Sequence, residues 1–179
     1  IFFASYVIAQ YVVGKIFFRE KITPSKLWSL ALGLGGLVLV SYGQIENAAI
    51  LPVLLLVLGG VFASTEVGLS KKFSEHYDDL YLTTLLYILT FATSFMSGLA
   101  TGTATEISWS LAPWLYQLGF AISAIGAFVF VLRGFRSIDP SVGGIIGLSE
   151  IVFGVLLGVI LFGESVTVLT LTGLALILA

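Results

Sequence analysis

Between Ser141 and Phe162 the chain runs through twenty-two residues with one charged side chain, Glu150, near the middle. At about 1.5 Å per helical residue such a segment reaches across a hydrocarbon core of about 30 Å. The run therefore predicts a membrane-spanning helix. A carboxylate at that depth costs at least about 2.5 kcal/mol on the mildest scale, and intramembrane acids are functional by default. Gly143, Gly147, Glu150, Gly154 and Gly158 recur at steps of three or four and share one face. Small residues on a face admit a second helix closely, so Glu150 is expected to face protein or a water-filled cavity. The reading favoured is a substrate or proton site inside a transporter. The plainer one is a protonated glutamic acid hydrogen-bonded to a neighbouring helix.

Six further apolar runs accompany this one. They are Ile1–Phe18, Leu27–Tyr42, Ile50–Leu69, Leu80–Ala100, Leu111–Leu132 and Val166–Ala179. The last is too short to span by itself. Asp139-Pro140 opens the Ser141–Phe162 helix, with Asp as N-cap and Pro at the first helical position. Charged residues make up only 10% of the chain and mean hydropathy is +1.10, whereas soluble domains carry about a quarter. The fold class is all-α integral membrane, about seven transmembrane helices with short loops. The net charge of −2 gives no reason to expect a nucleic-acid partner. Without cysteine there is no disulfide, thiolate metal site or cysteine nucleophile, and His76 stands alone among acids without ligand spacing. No metal and no cofactor are expected. The chain opens and closes inside apolar runs, which predicts a piece of a longer polypeptide.

The eight basic residues are Lys15, Arg19, Lys21, Lys26, Lys71, Lys72, Arg133 and Arg136. All lie at or beside the first, third or fifth loop, and the other loops have none. The positive-inside rule places loops 19–26, 70–79 and 133–139 in the cytoplasm. Lys15 and Lys26 read as side chains snorkelling to headgroups, and Lys71, Lys72, Arg133 and Arg136 as topology anchors. Trp28, Trp109 and Trp114 sit near run ends, as interfacial residues do.

The chain also resembles itself. With Glu20 laid on Glu164, Ser5 meets Ser149, Gly14 meets Gly158, Phe18 meets Phe162, Thr23 meets Thr167 and Leu27 meets Leu171, without a gap. An odd number of spans separates the copies, and bases surround Glu20 but not Glu164. The copies are therefore expected to be inverted, the signature of secondary transporters with a site near the midplane. In this register Tyr6 takes the place of Glu150 and Gln10 that of Gly154. Tyr6, Gln10 and Glu150, with Ser149 beside it, are expected to converge on a central cavity. Glu66 is a weaker candidate near the end of the third run. Tyr87 on the fourth helix, and Tyr116 and Ser123 on the fifth, stand on aromatic faces that read as packing more often than as a substrate box.

Two stretches resemble the drug/metabolite transporter superfamily in its EamA-type branch. They are F-F-R-E-K-I-T-P-S-K-L-W-S-L-A-L-G-L-G-G-L-V-L-V at Phe17–Val40 and G-L-S-E-I-V-F-G-V-L-L-G-V-I-L-F-G-E-S-V-T at Gly147–Thr167. The helix-Glu-x-x-Thr-helix turn occurs in both, and the resemblance covers essentially the whole chain. Many members carry a proline near the position of Ile151, where this chain has Ser149-Glu150-Ile151. The resemblance implies ten helices in two inverted halves of five. Residues 1–44 would then hold the last two helices of the first repeat and 45–179 the five of the second. It also implies a carrier of small metabolites, amino acids or drugs in the cytoplasmic (plasma) membrane, coupled to protons or working by exchange. In that picture Glu150 binds substrate or proton. Glu20, Glu164, Thr23 and Thr167 are gating or capping residues of the repeated turns. The Gly33–Gly36 and Gly143/Gly147 spacings suit packing within one chain and a homodimer equally.

Three other readings compete. Seven helices match a receptor, but no Asp-Arg-Tyr-like triplet follows the third helix and no Asn-Pro-x-x-Tyr or lysine lies in the last. An intramembrane enzyme would need paired aspartates in helices, His-Glu-x-x-His, or a base beside a serine, and none is present. A non-transporting bundle, such as a scramblase or assembly partner, stays open at this stage.

Overall fold

The computed structural model describes residues 1–42, 49–103 and 110–179, and every regular element in them is helical. The elements are α1 (Phe2–Phe18), α2 (Pro24–Val40), α3 (Ile50–Ser74), α4 (Asp79–Thr101), α5 (Leu111–Ser137), α6 (Pro140–Gly147), α7 (Ser149–Phe162) and α8 (Val168–Leu178). Segments α6 and α7 are consecutive parts of one apolar span, Pro140–Phe162. The described chain thus forms seven apolar helices. Those at Ile50–Ser74, Asp79–Thr101, Leu111–Ser137 and Pro140–Phe162 are long and apolar enough to cross a membrane. The polar loop 43–47, Glu106 and Trp109 lie outside the described residues.

Most helix ends fall within a few residues of the apolar runs, and the exceptions have a cause. Helix α3 continues past Leu69 and takes Lys71 and Lys72 into its last turn. Helix α5 likewise continues past Leu132 and takes Arg136. Cations at a helix C-terminus complement the exposed carbonyls, so a charge ends an apolar run without ending a helix.

The chain gathers into two compact units, one of residues Ile1–Leu69 and Ile138–Ala179, the other of Ser70–Ser137. In the first, α2 packs on α8 and α1 on α6. Its core joins Val7, Tyr11, Leu37, Leu148, Val152, Leu174 and Ile177. Two glycines let α2 and α8 meet backbone to backbone. A Cβ on Gly173 would sit 2.7 Å from the Gly36 carbonyl oxygen and 3.0 Å from the Val40 nitrogen. One on Gly36 would sit 3.1 Å from the Ile177 nitrogen. Gly36 thus lies between Gly173 and Ile177, while Gly173 lies between Gly36 and Val40, a pattern that only antiparallel helices produce. Helices α1 and α6 are antiparallel too, since Gly14 faces Pro140 and Gln10 faces Gly144.

In the second unit α4 packs against α5. Asp78 starts α4, its carboxylate accepting from the Leu80 N–H at 2.9 Å. The next residue, Asp79, is buried and pairs with the Arg136 guanidinium at 2.8 Å. Arg136 also donates to the Ser74 carbonyl at 2.6 Å, so it closes the end of α3. Trp28 and Trp114 are exposed, as an interfacial position requires.

Candidate functional site

The span carrying Glu150 tightens where the acid sits. The Leu148 N–H bonds to the Ile145 carbonyl at 3.0 Å, and the Ile151 N–H to the Leu148 carbonyl at 3.1 Å. Both are three-residue closures, and a short 3₁₀ stretch inside a helix often marks a hinge. The tightening redirects the glycine face. Gly144 lies against Gln10, a Cβ on Gly147 would sit 3.7 Å from the Tyr6 ring, and Gly158 meets the Glu164 carboxylate, but Gly154 faces open space. Ser149, half-buried, and Glu150, exposed, open α7 directly after this step.

Helix α1 places Tyr6 and Gln10 against α6. Tyr6 is half-buried between Gly147 of α6 and Gly60 of α3. Its hydroxyl lies beside the Gln10 carboxamide and within electrostatic range of the Glu150 and Glu66 carboxyls. Gln10 is wholly buried, and neither its amide oxygen nor its nitrogen reaches a hydrogen-bond partner at good geometry. Ser64, one turn from Gly60 and Gly68 on the side of α3 that meets α1, is wholly buried with an unpartnered hydroxyl. Nothing in the apolar pattern of α3 distinguished that serine. Glu66 and Glu150 are exposed and make no ion pair among the described residues.

A cavity of about 300 Å3 beside this group runs between α1 and α3, lined by Ile8, Val12, Ile16, Phe17, Val61 and Thr65. The Thr65 hydroxyl is spent on the Val61 carbonyl at 2.8 Å. The wall is otherwise apolar and suits an acyl chain, not a polar cargo.

The two repeated turns close in a similar way, each with a left-handed residue after the helix. The Gly14 carbonyl accepts from the N–H groups of Arg19 and of Glu20 at 3.1 Å; the Gly158 carbonyl accepts from those of Gly163 and of Glu164 at 3.3 Å. Arg19 and Gly163 are both left-handed, with φ of 52° and 67°. Thr23 then caps α2 through the Lys26 N–H at 3.4 Å, and Thr167 caps α8 through the Thr170 N–H at 3.1 Å. The left-handed conformation costs an L-residue about 1–2 kcal/mol, and glycine already holds the matching position. Arg19→Gly is expected to raise stability by about 0.5–1 kcal/mol, less than the full strain because glycine also gains freedom in the unfolded chain. Thermal unfolding in detergent checks this as a rise of a few degrees.

The side chains of the two turns differ. The Glu20 side chain is 3% exposed, paired with Lys26 and hydrogen-bonded to the Ser141 hydroxyl. Lys26 does not snorkel; its ammonium bridges Glu20 and Asp139, the latter at 2.7 Å. Glu164 is exposed, with no side-chain hydrogen bond or ion pair among the described residues.

In the second unit Asp79, Thr83 and Tyr87 follow one face of α4. Asp79 and Thr83 are buried, and Tyr87 meets Phe128 edge-on at 6.3 Å. Tyr116 and Ser123 are exposed on α5. Asp79 is tied to Arg136, and among the described residues the Thr83 hydroxyl has no hydrogen-bond partner.

A model of the EamA-like transporter family matches residues 50–179. A protein of Helicobacter pylori (strain J99 / ATCC 700824) named as an uncharacterized transporter is 30% identical over 67 residues. That stretch is 37% of this chain and 22% of the Helicobacter protein, so the match spans about a fifth of that relative's length.

Proposed function

This chain belongs to the EamA-like transporter family, and we propose that it forms part of a secondary carrier moving a small molecule across the cytoplasmic membrane by alternating access. The observation that carries this reading is the polar group set between helices of one unit. Tyr6 lies near Glu66 and Glu150, beside a buried amide with unmet hydrogen bonds and a tightened step in the helix that bears the acid. Sites of this kind, at irregular backbone in the middle of a span, are where secondary transporters bind cargo and coupling ions. The similar closure of the two turns at Gly14 and Gly158 and the antiparallel pairing of α2 with α8 support a division into inverted repeats at residues 1–44 and 45–179. The distribution of bases supports cytoplasmic loops at 19–26, 70–79 and 133–139.

The chemistry of the set also narrows the cargo. Carboxyls, a phenol and an amide surround the position, and the charged groups acting on Tyr6 are both acids. A cargo with an amine or another hydrogen-bond-donating group fits this lining better than an organic anion does. Protons are the coupling ion that two carboxyls suit. The test is uptake by the full-length protein in proteoliposomes, with amines, amino acids and organic anions offered with and without a proton gradient. Gradient-driven uptake of an amine-bearing solute is expected; uptake confined to anions, or none driven by any gradient, overturns the reading.

A further inference from the structure

Polar side chains tie the seam between α1 and α6 at the end where α6 begins. Asp139 occupies the N-cap position of α6, yet its side chain makes no capping bond. The acceptor comes instead from another part of the chain: Glu20 receives the Ser141 N–H at 3.3 Å and the Ser141 hydroxyl as well. An anion in that place satisfies the open N–H groups of a first turn and the positive end of the helix. Lys26 holds the same carboxylate from the α2 side and reaches across to Asp139 on the α6 side. The Tyr11 hydroxyl, on α1, donates to the Lys26 carbonyl and fixes the start of α2 against α1. Helices α1 and α6 therefore cannot part at this end without breaking the bonds of Glu20 to Ser141 and of Lys26 to Asp139.

We propose that Glu20, Lys26 and Ser141 are the latch that closes the cytoplasmic end of the α1–α6 seam during transport. The assignment rests on the alternating-access reading above. Opening costs little once water reaches the seam, because water replaces Glu20 at the α6 N–H groups while Lys26 retains the carboxylate. Two arrangements of the same side chains, one dry and one wet, make a two-state element.

These 179 residues contain no cysteine, so in the full-length protein, with any cysteine elsewhere replaced by serine, a single engineered thiol reports the seam cleanly. Gln10 is wholly buried against Gly144 behind the latch, and Gln10→Cys places the thiol there. The labelling rate with a membrane-impermeant methanethiosulfonate is measured from each face of oriented vesicles. Adding Glu20→Gln is expected to speed labelling from the cytoplasmic face at least tenfold and to slow it from the opposite face. Lys26→Met, which leaves the bonds from Glu20 to Ser141 in place, should give a smaller change of the same sense. Unmoved rates, or an equal rise from both faces, overturn the latch, the second outcome marking a loosened fold. Coupled transport with unmoved labelling rejects the latch alone; sided labelling changes without any transport reject the carrier reading and leave the latch.

Discussion

Glu150→Gln is expected to reduce gradient-driven uptake at least tenfold while leaving the protein as stable as before or more so. The two effects oppose each other for a physical reason. Glu150 is the one charged side chain between Ser141 and Phe162, and a charge at mid-bilayer is unfavourable by at least about 2.5 kcal/mol. Glutamine keeps the shape, removes the charge, and leaves no partner stranded, since the carboxylate has no ion pair among the described residues. A residue kept for packing would show the reverse pattern, with uptake preserved. Exchange of cargo without a gradient separates the two active roles. If exchange survives while gradient-driven accumulation is lost, Glu150 carries the proton. If both are lost, it holds the cargo. Unchanged accumulation would reduce Glu150 to a passive group and return attention to Tyr6, Gln10 and Glu66.

The sequence made the helices readable because apolar length is a strong signal, and each of the seven runs is a helix with nearly the expected bounds. The two matched turns were readable for the same reason: Gly14, Glu20 and Thr23 recur as Gly158, Glu164 and Thr167, and their backbones close alike. What two identical motifs do not encode is their different surroundings. Glu20 is tied to Ser141 and Lys26, while Glu164 is exposed, because tertiary neighbours and not the motif supply partners. Lys26 was read as a snorkelling side chain, since its partner Asp139 lies far along the chain. A clue existed in Asp139-Pro140-Ser141, a helix start facing a turn with a spare acid. Ser64 and Thr83 were invisible, because a lone hydroxyl in an apolar helix looks the same whether it faces lipid or the interior. The glycine face of Glu150 was read as one stripe, and the tightened step at Leu148 divides it.

The sharpest test of the packing compares two adjacent glycines in α2. Both Gly35 and Gly36 look alike in a Gly33-Leu34-Gly35-Gly36 run that suited either intrachain packing or a dimer. A Cβ on Gly35 would have nothing within 4 Å, whereas one on Gly36 would press on the Gly173 carbonyl and the Ile177 backbone of α8. Backbone atoms cannot swing aside, so the helices must separate. Helix association in a membrane depends on close packing, because lipid is as apolar as the helix surface. Gly36→Val is therefore expected to cost about 1–3 kcal/mol through overpacking, and Gly173→Val a similar amount from the other side of the same contact. Gly35→Ala should be neutral or stabilising by up to about 1 kcal/mol, the helix-propensity gain over glycine. Thermal unfolding of the three variants in detergent reads the difference. Combining Gly36→Val with Gly173→Val should cost less than the two single losses added together, since one separation of α2 from α8 accommodates both side chains. Equal losses at Gly35 and Gly36 would mean that the α2–α8 contact is not the one holding this unit together.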